Sequence, residues 1–261
     1  LSIVEDVQFW AQLKSILLHL EPLARAANIT QGDGARLDVV LVTLANLFHY
    51  FMSTPGLCAE AVAAVLASLE KRWAQADQDV FLLALIFNPY IRLDCFADDS
   101  PFRTAGQIRQ MAEAAFERFY GVPAGLDFTG ELIDYLHRRG HWSPDSMNLK
   151  NEKARATAEG KQVNMLNIWR TWTPIADAEA PDTLPASGAG RLALLATRLL
   201  SVVPNSAGTE RIFSLFGFVH TKHRNRLTKD KVRKQVLVRV DTARRYGSGV
   251  NHSRKRKFGA D

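Results

Sequence analysis

Leu192, Leu195, Ala196, Leu199, Leu200 and Val203 recur at i, i+3, i+4, i+7, i+8 and i+11, which draws one apolar stripe along a helix that Pro204 must stop. A small-residue turn follows, in which Asn205 or Ser206 can cap a new helix by accepting a bond from an early backbone N–H. In that helix Ile212, Leu215, Phe216 and Val219 share a face, while Ser206, Glu210, Ser214, Gly217 and Thr221 share another. Residues 192–227 therefore demand helix packed on helix, with one carboxylate, Glu210, beside a dense aromatic face where burial is expected.

The same period runs through the rest of the chain. Phe9, Leu13, Ile16, Leu17, Leu20, Leu23, Ala24 and Ala27 predict an amphipathic helix over 4–28, kinked near Pro22 where proline removes a backbone donor. Leu37, Leu41, Leu44, Phe48 and Phe51 predict a second helix, returning antiparallel and stopped by Pro55 and Gly56. An Ala-rich third helix is expected over 57–73. The next begins at Asp77 and carries eight consecutive apolar residues, VFLLALIF, which could form a buried strand. Leu and Ala dominate that run and Asp77 can cap it, so the reading is helix. Further helices are expected over 103–119, 129–138 and 149–161. Trp10 and Trp73 read as core anchors.

Residues 173–190 hold three prolines, no Lys or Arg and no apolar period, which marks a linker or long surface loop. The expected organisation is a helical domain over 1–172, a linker over 173–190, a C-terminal helical region over 191–245 and a basic tail over 246–261. No internal repeat crosses the linker. The fold class is all-α.

Other classes find little support. Cys58 and Cys95 stand in no zinc-binding spacing and read as small core or near-surface residues in a reducing compartment. His137 and His141 have the spacing of two ligands on one helix face, but Gly140 interrupts that helix and no third ligand is near. No apolar run of about 18 residues suggests a membrane span, so no membrane partner is expected. The chain begins at Leu1 rather than Met, which is the expectation of a fragment or processed product.

The charge is unevenly divided. Residues 222–261 hold 14 Lys and Arg against 3 Asp, a net of +11, leaving the first 221 residues 19 Lys and Arg against 24 Asp and Glu, a net of −5. A basic end of this kind suits phosphate backbone or an import receptor. Lys222, Arg224, Arg226 and Arg233 are the candidate nucleic-acid contacts. The pair Arg244-Arg245 and the run Arg254, Lys255, Arg256 and Lys257 have the spacing of a bipartite nuclear-import signal. The last helix, 229–245, places Val232, Val236, Val240 and Ala243 on one side and Lys229, Arg233 and Arg244 on others, so it can pack and still present a basic surface.

Glu210 admits several readings. A capping box needs Ser or Thr three residues earlier, and position 207 is Ala, so that register fails by one. Stabilisation of the helix dipole by a first-turn acid, or an ion pair with a nearby Arg, remains open.

LLSVVPNSAGTERIFSLFG followed by TKHRNRL resembles the C-terminal signature of hAT-superfamily transposases, the dimerisation region: a Leu-rich helix, then Ser-Ala-x-x-Glu-Arg-x-Phe-Ser, a Gly, and Arg-Asn-Arg-Leu. More loosely, FWAQLKSILLHLEPLARAANITQ, LEKRWAQADQDVFLLALIFNPY and the segment from Trp169 to Trp172 resemble fungal members. The resemblance implies that residues 1–172 correspond to an all-helical insertion, and that the C-terminal helices belong to the ribonuclease H-like core this insertion interrupts. It implies that Glu210 is the third of three acidic residues holding two divalent metals, Mg²⁺ or Mn²⁺. One such metal activates the attacking oxygen and the other stabilises the leaving one. The other two acids would lie before the insertion, outside this chain, so no cofactor is expected for the chain as it stands. The resulting expectation is a nuclear, transposase-derived association module, incomplete as a catalyst. It would pair with itself or a related transposase chain, with Leu195, Leu199, Phe213, Phe216 and Val236 as dimerisation or packing residues, since such an apolar stripe can equally pack within one chain, and with DNA contacts from the basic C-terminus. The alternative is the C-terminal part of an active metal-dependent transposase.

Overall fold

The computed structural model describes residues 4–32, 34–173, 184–219 and 228–246. Regular structure among these residues is helical, with no strand, so the all-α expectation holds there. Two compact units are present: Leu1–Thr30 with Gly34–Pro204, and Gln31–Asp33 with Asn205–Asp261.

In the first unit, α1 (Val7–Thr30), α2 (Leu37–Ser53) and α3 (Ala59–Gln75) follow the predicted periods. The Asp6 carboxylate opens α1 by accepting from Gln8 N at 2.8 Å. The helix continues through Pro22. Proline's missing N–H would have bonded the Leu18 carbonyl, and the Tyr50 hydroxyl donates to that carbonyl instead, at 2.9 Å. Ala26, Leu47 and Phe51 form a small buried cluster joined by Leu23, Val62, Leu66 and Leu69. At the start of α2 the buried Asp38 carboxylate accepts from Arg36 Nε and Nη2, both at 3.0 Å, and from Asn88 Nδ2 at 2.8 Å. These bonds clip α2 to the turn that follows α4 (Gln78–Ile86).

α4 is the interior helix. Leu83, Ala84 and Ile86 have no exposed surface, and burial on every side explains why its sequence shows no amphipathic period. Asp77 caps its start, accepting from Val80 N at 3.5 Å. Its far end is closed by side chains from elsewhere: Tyr135 Oη donates to the Ile86 carbonyl and Trp169 Nε1 to the Phe87 carbonyl, both at 2.9 Å. Around it stand α5 (Ala105–Tyr120), α6 (Leu126–Leu136), α7 (Leu149–Ala158) and α8 (Met165–Arg170). Phe87, Tyr135, Trp142 and Trp169 make one contiguous aromatic cluster.

α9 (Gly188–Ser201) belongs to this unit, packing against α2, α4, α6 and α8. Its start is pressed against α6: a Cβ on Gly188 would lie 2.4 Å from the carbonyl carbon of Asp127. Arg191 fixes the same end, with Nε on the Pro185 carbonyl and Nη1 on the Ala124 carbonyl, each at 2.9 Å. The division of the chain therefore falls after Pro204 rather than in the predicted linker, of which residues 174–183 lie outside the described set. In the second unit α10 (Ala207–Val219) packs with α11 (Lys229–Tyr246).

Candidate association and nucleic-acid surface

α10 begins with a local polar arrangement built by its own sequence. Asn205 Oδ1 accepts from Ala207 N at 3.0 Å, and Ser206 Oγ donates to Glu210 Oε1 at 2.6 Å. Glu210 therefore sits one turn into the helix, held from the N-terminal side by a serine hydroxyl. It is exposed, which corrects the expectation of a buried carboxylate. As an exposed first-turn acid it complements the positive end of the helix dipole, one of the readings left open by the sequence. Among the described residues no group of three His, Cys, Asp or Glu side chains is placed to hold a metal ion.

α11 has two contrasting sides. Val232 and Val236 are buried and Val240 is half-buried, as their four-residue spacing predicts, whereas Lys231, Arg233 and Lys234 are exposed. Leu237 and Val238 add exposed apolar surface, at 57% and 65%.

The residues expected to serve dimerisation or packing separate into different environments. Leu195 and Leu199 are wholly buried in the core of the first unit, and Val236 is buried in the second. These three serve interior packing and offer no surface to a second chain. Phe213 is 67% exposed and Ile212, placed on the packed face by the sequence pattern, is 39% exposed. The side chain of Phe216 lies outside the described residues, as do the side chains of Arg244 and Arg245 and the whole of Lys222, Arg224, Arg226, Arg254, Lys255, Arg256 and Lys257. Of the candidate nucleic-acid contacts, Arg233 is described and reaches solvent.

The histidine pair forms no ligand set. His137 caps the end of α6, while the His141 ring stacks near Trp142 and Trp172, with Nε2 2.9 Å from Glu131 Oε2. Cys58 and Cys95 are both exposed thiols, and the Cys58 thiol donates to Glu60 at 2.8 Å. That bond holds the exposed Glu60 carboxyl below its ordinary range. No described helix is long and apolar enough to cross a membrane.

Two features escaped the sequence reading. Arg92 is buried with no charged hydrogen-bond partner, and nothing in the pattern around it signals this. The apolar stripe of α1 was visible in the sequence; that much of it before Leu23 is uncovered was not: Ile16, Leu17 and Leu20 are each more than half exposed, and Trp10, expected in the core, is 49% exposed. No protein-family model, curated protein or solved structure matches the chain.

Proposed function

We propose that this chain is a transposase-derived association module of the hAT type, acting with nucleic acid in the nucleus and incomplete as a catalyst. The observation that carries the reading is the two-sidedness of α11, whose valines are buried while Lys231, Arg233 and Lys234 face solvent. A helix anchored on one side holds its cations in a fixed array, and cations so held neutralise backbone phosphates and release their counterions. The pattern Ser-Ala-x-x-Glu-Arg-x-Phe-Ser with Arg-Asn-Arg-Leu supports the lineage, and the bipartite basic pattern supports the nuclear address. For a related transposase chain, Ile212 and Phe213 are exposed apolar contacts among the described side chains of α10. The ribonuclease H-like ancestry of α10 and α11 belongs to the same proposal.

The test is duplex-DNA binding by the full chain, followed by fluorescence anisotropy, against the triple variant Lys231→Glu, Arg233→Glu, Lys234→Glu. If the three cations touch phosphates, the variant binds more weakly on every sequence and its slope of log affinity against log salt falls by about 2–3. Unchanged affinity and slope would refute the role of α11.

The alternative, part of an active metal-dependent transposase, draws on the accessibility of Glu210 and needs its other carboxylates from outside the chain. Mg²⁺- or Mn²⁺-dependent nicking that is lost in Glu210→Gln would establish it. The proposal expects no such activity from this chain alone.

A further inference from the structure

On α1, Phe9, Leu13, Ile16 and Leu20 follow one another at intervals of four, three and four residues, and Leu23 and Ala27 extend the alternation to six positions. This is the 3.5-residue repeat of a coiled-coil seam. The helix is 24 residues long, about 36 Å at 1.5 Å per residue.

Among the described residues the fold contacts α1 on the side adjacent to this seam and at its C-terminal end, where Leu23 packs against the cluster of Ala26, Leu47 and Phe51. Tyr50 Oη reaches the Leu18 carbonyl, Cys58 N donates to His19 Nε2 at 2.9 Å, and Ala26 is buried against Leu47 and Phe51. From Phe9 to Leu20 the seam turns away from these contacts, with Leu13 half-buried. Phe9 is 40% exposed, Ile16 53% and Leu20 54%, and their flank carries Trp10 at 49% and Leu17 at 52%. With large side chains counted at roughly 150–250 Å² each, these fractions leave on the order of 500 Å² of apolar surface per copy. Where about 57–65% of an interface is apolar, that core implies about 800 Å² per partner, the size of a standard stable interface.

The charges on α1 select the occupant. Lys14, Glu21 and Arg25 all lie away from the stripe, and the flanking positions on its open side are Trp10, Leu17 and Ala24. A charged partner helix would find nothing to pair with there. An identical stripe meets it without like-charge repulsion.

We propose that α1 is a homotypic pairing helix, through which two copies of this chain associate along Phe9, Leu13, Ile16 and Leu20. The pairing depends neither on DNA binding nor on the transposase lineage, and it uses a surface different from α10 and α11.

The full chain is measured by size-exclusion chromatography with light scattering at micromolar concentration, beside the double variant Ile16→Glu, Leu20→Glu. Both positions are more than half exposed, so the monomer fold tolerates the change, and circular dichroism melting checks that it does. The wild type is expected to be dimeric, and the variant's dimer dissociation constant to rise about tenfold or more, from burying repelling charges in both copies. In a Cys58→Ser, Cys95→Ser background, a short bis-maleimide reagent should join copies carrying Ile16→Cys and leave copies carrying Ala11→Cys, on the far side of the helix, unjoined. A monomeric wild type, which would assign the stripe to a different partner, overturns the proposal. So does a dimer indifferent to the double variant, or equal cross-linking from both cysteines.

Discussion

Arg92 is 1% exposed, and the two ends of its guanidinium donate to carbonyls: Nη1 to Tyr135 O at 2.6 Å and Nη2 to Trp142 O at 2.7 Å, with the Tyr135 ring centroid 4.3 Å away, while Nε is buried without a hydrogen-bond partner among the described residues. The Tyr135 carbonyl, in the last turn of α6, already accepts from Arg138 N at 3.1 Å, and the arginine adds a second, charged donor at that helix end. Burial, the largest influence, pulls its pKa below the ordinary arginine value. Arg92→Met should cost about 1–3 kcal/mol in urea unfolding, since the Trp142 carbonyl loses the donor shown for it and the Tyr135 carbonyl loses one of two, and Arg92→Lys should recover only part because it lacks the planar fork. The phenols of Tyr90, Tyr120 and Tyr135 are all raised, in each case chiefly by burial. Their folded pKa values exceed the unfolded value of about 10, so their contribution to stability is complete below that pH and is lost as pH climbs toward the folded values. Urea midpoints should therefore fall between pH 9 and 11, about the unfolded tyrosine pKa. Tyr135→Phe should flatten the fall while lowering stability at pH 8 by about 1–3 kcal/mol, because the Ile86 carbonyl is left unpaired. An unchanged slope in that variant would contradict the assignment.

At the scale of elements, α9 decides how the chain is divided. Gly188 against the Asp127 backbone, Arg191 on two loop carbonyls and the wholly buried Leu195 and Leu199 make it a core helix of the first unit. Leu199→Ala should destabilise that unit by about 2–5 kcal/mol without changing the molecular mass in solution. A stable but dissociated variant would restore Leu199 to an interface. Periodicity made most helices legible, including α4, where Leu and Ala content and the Asp77 cap correctly outweighed the strand-like run. It could not say which stripes would be covered. α1 and α9 carry comparable apolar patterns, yet α9 is surrounded by four helices while Ile16, Leu17 and Leu20 of α1 are more than half exposed. Whether a stripe is buried depends on distant segments, and spacing along one helix holds no information about those. The same limit explains Glu210, where proximity to aromatic residues in sequence suggested burial and the first turn of α10 leaves it in solvent. The compositional break over 173–190 was equally plain, but α9 returns to the first core after it, through contacts such as Arg191 with Ala124.

For the whole molecule, the separation of charge is the property that its helices organise. The acidic balance lies in the first 221 residues and the basic excess follows, with α11 displaying part of that excess beside buried valines. Under the proposed reading, one end of the chain meets phosphate backbone while uncovered apolar faces on α1 and α10 meet protein. Backbone contact carries no sequence information, so affinity should be governed by salt rather than by base order. The direct measurement is a salt series of full-chain binding to two unrelated DNA duplexes of equal length. The account predicts equal affinities for the two and a linear fall of log affinity with log salt, with a slope of about −3 or steeper from at least three phosphate contacts. Absence of binding at low salt, or affinity indifferent to salt, would contradict it.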